Sequence, residues 1–525
     1  MRDLRDIDIK SEISGIKDSA FESKRYWILY LVLMLIASFS IYSPSNYGHP
    51  KLQLLAIAVI AILGVFCIVF YTRHSEDEEL YKTAFVIVLV LGIVCAFLIP
   101  ICFSPDEVEH FVRAEITSRG IINPEYNNGS FLTIQSTLDL IKNGKSPTGT
   151  GFDGMGMVNS SIFNTNADLK PINMSLVKYP SAFAQNPFFG YLFPAIGMFI
   201  AKMLNLNAIW LMWLGRIFNV LLYATCVSYA IKKSPIAKMP MLVMACIPLA
   251  IFQSSSLSID AIICALGIVI VGHFFYMIKA PSESLTLKDL GIFSVLVLLI
   301  GLCKITYFAF IGLLFFVPRN NFKINKYYLY CILLFVGFGA LALLYNKYYA
   351  TPGFMHSFRS VHQQIYNFTT EGQISYLMSH KWDSLMTFLQ IPGKYINGDL
   401  MFFKKYMGFS DSISSLYLMF FGAVCLLYPK PSENMMPRIG ALLVALVIYI
   451  GTYITFLLSW SHSIGDLANI LGVQIRYFLP LFIMFPFIFG FNNIEGDKTK
   501  IDSYAIVLTV AFISVMLMSL VFKTF

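Results

Sequence analysis

The chain has 525 residues, 57% of them hydrophobic and only 13% charged, with a mean hydropathy of +0.68. No water-soluble domain can hide that much apolar surface, so composition excludes one and predicts an all-α integral membrane protein. The net charge of +8 is modest, and its basic residues gather at the ends of apolar runs, a positive-inside pattern that does not imply nucleic acid.

Residues 1–25 are too long and too acidic for a signal-peptide leader and predict a cytoplasmic tail. Residues 26–82 predict an accessory transmembrane hairpin, with spans at 26–42 and 52–71 entered from Lys24 and Arg25. A third span, 83–102, returns outward and delivers FSPDEVEHFVRAEITSRG to the extracytoplasmic face. Asp106, Glu107, Glu109, His110 and Arg113 crowd there. Charge of that density at the mouth of a span is costly beside lipid and marks a site, the plainer reading being a solvated helix cap. Pro105 suits the first turn of a helix, and on that helix Asp106, His110 and Arg113 would share a face.

Residues 103–187 are polar and rich in Asn, Gly and Ser, contain the sequon at Asn128 and show no alternating strands; they predict an outer loop with short interfacial helices. Segment 188–204 either crosses or lies at the outer interface. The second choice keeps KKSPIAK inside and is preferred. Spans follow at 209–231, 241–253 and 261–278, with Asp260 near the outer surface. The run 290–318 is apolar except for Lys304. As one helix it would be roughly 43 Å long, so two shorter helices meeting near Gly301–Lys304 fit a ~30 Å core better. A lysine at such a break can hold an anion at membrane depth, the alternative being a snorkelling side chain. Further spans at 327–345, 413–428, 439–460, 477–491 and 505–521 bring the total to about 13 transmembrane helices. A second large outer loop occupies 346–410. His462 and Asp466, in the last outer loop, share only a helical spacing. The nine cysteines lie in or beside apolar runs without a CxxC pair, so they read as small core residues, and no disulfides are expected.

Several stretches together resemble an uncharacterised bacterial membrane-protein family of the GT-C glycosyltransferase superfamily. Ser104-Pro105-Asp106-Glu107, with His110 and Arg113 after it, is similar to that family's Pro-Pro-Asp-Glu…His…Arg signature. Tyr179-Pro180, Arg216-x-x-Asn219, Pro248 with Ser258-x-Asp260, and Lys304-x-x-Tyr307 match further elements. Gly472-Val473-Gln474-Ile475-Arg476-Tyr477-Phe478-Leu479-Pro480 matches a Gly-Val-Gln-Gly-Arg-Tyr-Phe-x-Pro element. Ser104 stands where the family has Pro, and Ile475 where it has Gly. The resemblance covers residues 83–491.

It implies a GT-C-like catalytic membrane domain over 83–491, followed by an inner loop and a last helix in 492–525. It also implies transfer of a sugar from a polyprenyl-phosphate donor of the undecaprenyl-phosphate type to a glycan acceptor of the cell envelope. The site would face outward from a bacterial inner or plasma membrane, with the N-terminus cytoplasmic. The implied transfer inverts the anomeric centre with Asp106 as base, and Glu107 and His110 are the further catalytic candidates. A carboxylate can take the acceptor's proton, and cations can stabilise the departing lipid phosphate. Arg476, Lys304, Arg216 and Arg113 are the phosphate candidates. Tyr179, Asp260, Tyr307, Gln474 and Tyr477 are the substrate-binding candidates. Either no cofactor or a divalent metal ion, held by Asp106 and Glu107, is compatible with this pattern. The rival readings are a lipid-linked glycan flippase or transporter and a polysaccharide polymerase.

Overall fold

The computed structural model describes residues 9–42, 49–126, 130–144, 170–181, 183–352, 358–396, 410–428, 434–467, 470, 472–491 and 498–524. The sequon at Asn128, much of the first outer loop and the end of the second lie outside the described residues.

An amphipathic helix, α1 (Ile9–Glu22), leads into the hairpin α2 (Lys24–Ile41) and α3 (Pro50–Arg73). Next come α4 (Leu80–Leu98) and α5 (Glu107–Ser118). The first loop contributes β1 (Phe131–Ile134), α6 (Gln135–Gly144) and β2 (Leu176–Tyr179). β1 and β2 form an antiparallel pair in which Phe131 faces Tyr179. This corrects the expectation of a loop without strands. Four-residue strands on a loop give too few alternations to be read from sequence.

A 3₁₀ turn, Phe188–Tyr191, opens α7 (Leu192–Met203), which a short turn joins to α8 (Ile209–Lys233). Then follow α9 (Lys238–Ala245), α10 (Pro248–Ser254), α11 (Asp260–Lys279), α12 (Leu287–Cys303), the 3₁₀ helix Ile305–Phe316 and α13 (Tyr327–Tyr345). Later helices include Asp411–Leu427, Met435–Ser459 and Lys498–Thr524.

Among the described residues, eight helices are long and apolar enough to cross a membrane: α2, α3, α4, α8, α11, Tyr327–Ala350, Met435–Ser459 and Lys498–Phe522. Two segments expected as continuous spans are broken, and a third breaks as expected. Segment 241–253 divides into α9 and α10 because Pro248 cannot continue the ladder. Segment 477–491 breaks into short turns around Pro480 and Pro486. Segment 290–318 breaks at Lys304, where the backbone is extended (φ −155°, ψ 112°) between α12 and the 3₁₀ helix. That last break falls where length and the lysine placed it.

α4, α8 and α11 form the centre, and nearly every residue of α11 is buried. α7 folds back along α8. A Cβ on Gly197 would lie 2.4 Å from the Leu214 carbonyl oxygen, so only glycine admits this approach. The N-terminal hairpin packs on the C-terminal helix: Tyr30 Oη and Ser514 Oγ share a hydrogen bond of 2.9 Å.

Candidate functional site

Pro100 follows the end of α4, and the chain then turns through two residues of positive φ, Cys102 (57°) and Asp106 (60°), before α5 begins. Aspartate is one of the few side chains that tolerates the left-handed region. The helix thus starts two residues later than expected. Ser104 donates to Ser256 Oγ at 3.2 Å, and Asp106 sits just ahead of the helix as its N-cap residue.

Arg476 lies behind Asp106. Its Nη2 is ion-paired with the Asp106 carboxylate, and its Nη1 donates to the Pro105 carbonyl at 2.9 Å. Its Nε stands 3.3 Å from Asp260 Oδ2, at the first residue of α11, where a helix N-terminus favours a carboxylate. Burial separates the roles: the Arg476 side chain is 3% exposed and Asp260 7%, whereas Asp106 is 41% exposed. One carboxylate of the three-membered cluster therefore faces outward, oriented by a buried guanidinium.

Tyr477 extends the cluster. Its Oη accepts from Arg476 Nη2 at 3.3 Å, its ring stacks on Phe456, and its backbone carbonyl accepts from Tyr307. Lys304 Nζ sits 3.3 Å from the Tyr477 ring centroid, a cation–π contact made possible by the break in the helix. Asp106, Asp260, Arg476, Tyr477, Lys304 and Tyr307 are thus brought together from four separate stretches. Gln474 is half-buried at the entrance to the 3₁₀ turn Ile475–Phe478.

The other candidates are committed elsewhere. Glu107 is fully buried and grips Arg216 through both oxygens, at 2.9 and 2.8 Å, while its Oε1 also accepts from Leu257 N. Arg216 sends its remaining donors to the carbonyls of Ala96, Ile99 and Pro100. All five guanidinium N–H groups are occupied. Arg113 likewise donates to the carbonyls of Asn186, Ile121 and Ile122 and to Thr117 Oγ1, fastening the loop to α5. Asp106 and Glu107 therefore face different arginines and do not converge as a pair of metal ligands. Among the described residues no three potential ligands come together. Tyr179 donates to Glu109 Oε1 at 3.1 Å.

His110 is buried beside the cluster. Its Nδ1 lies 2.6 Å from Tyr191 Oη, which accepts from Asn186 Nδ2 at 3.0 Å. The tyrosine hydroxyl has a proton to donate and a lone pair still open, so it pairs with Nδ1 in either imidazole tautomer. Burial pushes the His110 pKa down to about 4, against the pull of Asp106 and Asp260, so the ring is neutral at pH 7.

Sequence reasoning missed Tyr191 and Asn186, which orient His110. It also missed the cluster of Glu115, Arg119 and Lys202 at the far end of α5. The i, i+4 spacing of Glu115 and Arg119 was the only local signal. His462 and Asp466, which share a helical spacing, lie on either side of a turn at Ile464 and Gly465 and not on a helix.

Residues 89–485 match a family model described as predicted membrane protein (DUF2142). No curated protein and no solved structure matches the chain. The matched region contains every member of the cluster around Arg476 and leaves out the N-terminal hairpin and the C-terminal helix. The chain belongs to the DUF2142 family of membrane proteins.

Proposed function

We propose that this protein is a GT-C-type membrane glycosyltransferase. It moves a sugar from a polyprenyl-phosphate donor, of the undecaprenyl-phosphate type, to a cell-envelope glycan or lipid-linked acceptor. In this reading the chain passes through a bacterial inner or plasma membrane about 13 times, counting the broken segments. Its N-terminus is cytoplasmic and its site extracytoplasmic.

The observation that carries the reading is the half-exposed Asp106 carboxylate held by the buried Arg476. The guanidinium fixes the direction of the Asp106 carboxylate, which a general base requires. Asp106 takes the proton of an acceptor hydroxyl as that oxygen attacks the anomeric carbon. The bond from that carbon to the phosphate oxygen breaks, and the lipid phosphate leaves with the electron pair. A single displacement of this kind inverts the anomeric centre. Lys304, beside Tyr477, offers positive charge to the leaving phosphate, while Arg476 holds the base. His110 stands beside Asp106 as a neutral group, and Asp260, Tyr307 and Tyr477 hold the frame. Glu107, Arg216 and Arg113 take structural parts, because their hydrogen bonds are spent inside the protein.

The test is release of free polyprenyl phosphate from a synthetic polyprenyl-phosphate sugar by purified protein given envelope glycan acceptors. Release that needs acceptor, and that disappears in Asp106→Asn and Arg476→Ala, supports transfer. Movement of the intact lipid between vesicle leaflets without release overturns it in favour of a transporter.

A further inference from the structure

At the end of α5 opposite Asp106, a cleft of about 690 Å³ opens between the last turn of α5 and one face of α7. Leu192, Ile196 and Phe199 form its apolar wall, one helical turn apart, and are 42%, 39% and 50% exposed. The other end is polar. Lys202 and Arg119 each hold a Glu115 oxygen at 2.9 Å, and Lys202 also donates to Ser118 Oγ at 2.6 Å. Arg119 makes a further bond to the Leu132 carbonyl. Two cations on one carboxylate leave a single positive charge over.

The orientation of this cleft follows from the α7–α8 hairpin. Gly197 meets Leu214 and Gly215 meets Met198, so residues equally far from the connecting turn face one another. Lys202 therefore lies beside the starting end of α8, at a membrane surface. Leu192, ten residues away, lies roughly 15 Å deeper, near the middle of that span. The cleft is charged at the surface and apolar at depth, which is the polarity of a membrane lipid.

We propose that this cleft is a binding site for an anionic phospholipid. Its phosphodiester would sit against Arg119 and Lys202, and an acyl chain would run along Leu192, Ile196 and Phe199. The residual charge favours this occupant over a polyprenyl phosphate. A diester carries one negative charge, whereas a phosphate monoester carries about −1.5 to −2 at pH 7 and would be under-neutralised. The site is separated from Asp106 by the length of α5, roughly 18 Å, and does not depend on the transferase reading.

The experiment uses delipidated full-length protein titrated with phosphatidylglycerol, phosphatidylcholine or undecaprenyl phosphate and read by native mass spectrometry. One phosphatidylglycerol should be retained about tenfold more tightly than phosphatidylcholine. That preference should vanish when Arg119→Gln and Lys202→Gln are combined, and should survive in Lys326→Gln, a charge change elsewhere. Ile196→Trp fills the wall without touching the charges and should abolish retention even if the charge variant fails to fold. Equal retention of both phospholipids by wild type overturns the proposal. So does tighter, competing retention of undecaprenyl phosphate, which would make the cleft a carrier-lipid site.

Discussion

Glu107 and Arg216, 109 residues apart in sequence, meet as a fully buried bidentate pair whose arginine also gathers three carbonyls from the end of α4. Removing one partner leaves an uncompensated buried charge, which costs about 3–5 kcal/mol. Glu107→Gln or Arg216→Met should therefore lower the thermal midpoint of the purified protein sharply. Glu107→Leu combined with Arg216→Met should lose less than the sum of the single changes. A single variant with an unchanged midpoint would contradict the structural role given to this pair.

Asp106 should behave in the opposite way. Its side chain is 41% exposed, and asparagine also accepts a positive φ, so Asp106→Asn should keep the wild-type thermal midpoint within a few degrees. Transfer should nevertheless fall by about 10²–10⁴, the range that a general base supplies. The two readings are taken on one preparation. Loss of fold along with activity would mean that Asp106 supports the chain and does not act on substrate.

Lys304 is tested by charge and shape together. Lys304→Met removes the cation above Tyr477 and should cut donor turnover by about 10²–10³, as the loss of a stabilising donor does elsewhere. Lys304→Arg keeps the charge on a planar head and should restore part of the rate. Equal rates in the two variants would remove Lys304 from the phosphate site.

His110 gives a pH signature. Its folded pKa of about 4 lies below the ordinary value of 6.5, so the unfolded chain binds the extra proton first as pH falls. The stabilisation from the neutral, buried ring is complete above pH 6.5, declines through the interval and is gone below pH 4. It amounts to on the order of 3 kcal/mol. Thermal midpoints between pH 4 and 7 should fall less steeply in His110→Gln than in wild type. Parallel curves would show that other groups govern acid sensitivity.

The helical class and the break at Lys304 were legible because both are written locally, in apolar length and in one misplaced charge. The prolines at 248, 480 and 486 were equally visible, yet the continuous hydropathy around them outweighed their effect on helix continuity. That Glu107 turns inward to Arg216 while Asp106 meets Arg476 could not be read. Adjacent positions at a helix start point in different directions, and which one meets Arg476 depends on packing. Arg216 had the same local features as Lys304, a cation in an apolar setting, but a partner carboxylate on α5 consumed it. Ion pairs between distant segments have no sequence signature of their own.

The long-range ties also set a schedule for assembly. Asp106 is synthesised 370 residues before the Arg476 that holds it, and Tyr30 484 residues before Ser514. At a translation rate of roughly 5–20 residues per second, the first tie waits on the order of 20–70 s for its partner. During that interval Glu107 already has Arg216, but Asp106 has no buried guanidinium beside it. A polypeptide halted before residue 476 would thus carry the acidic motif with no means of orienting it. The cluster comes into being only after residue 476 has been made.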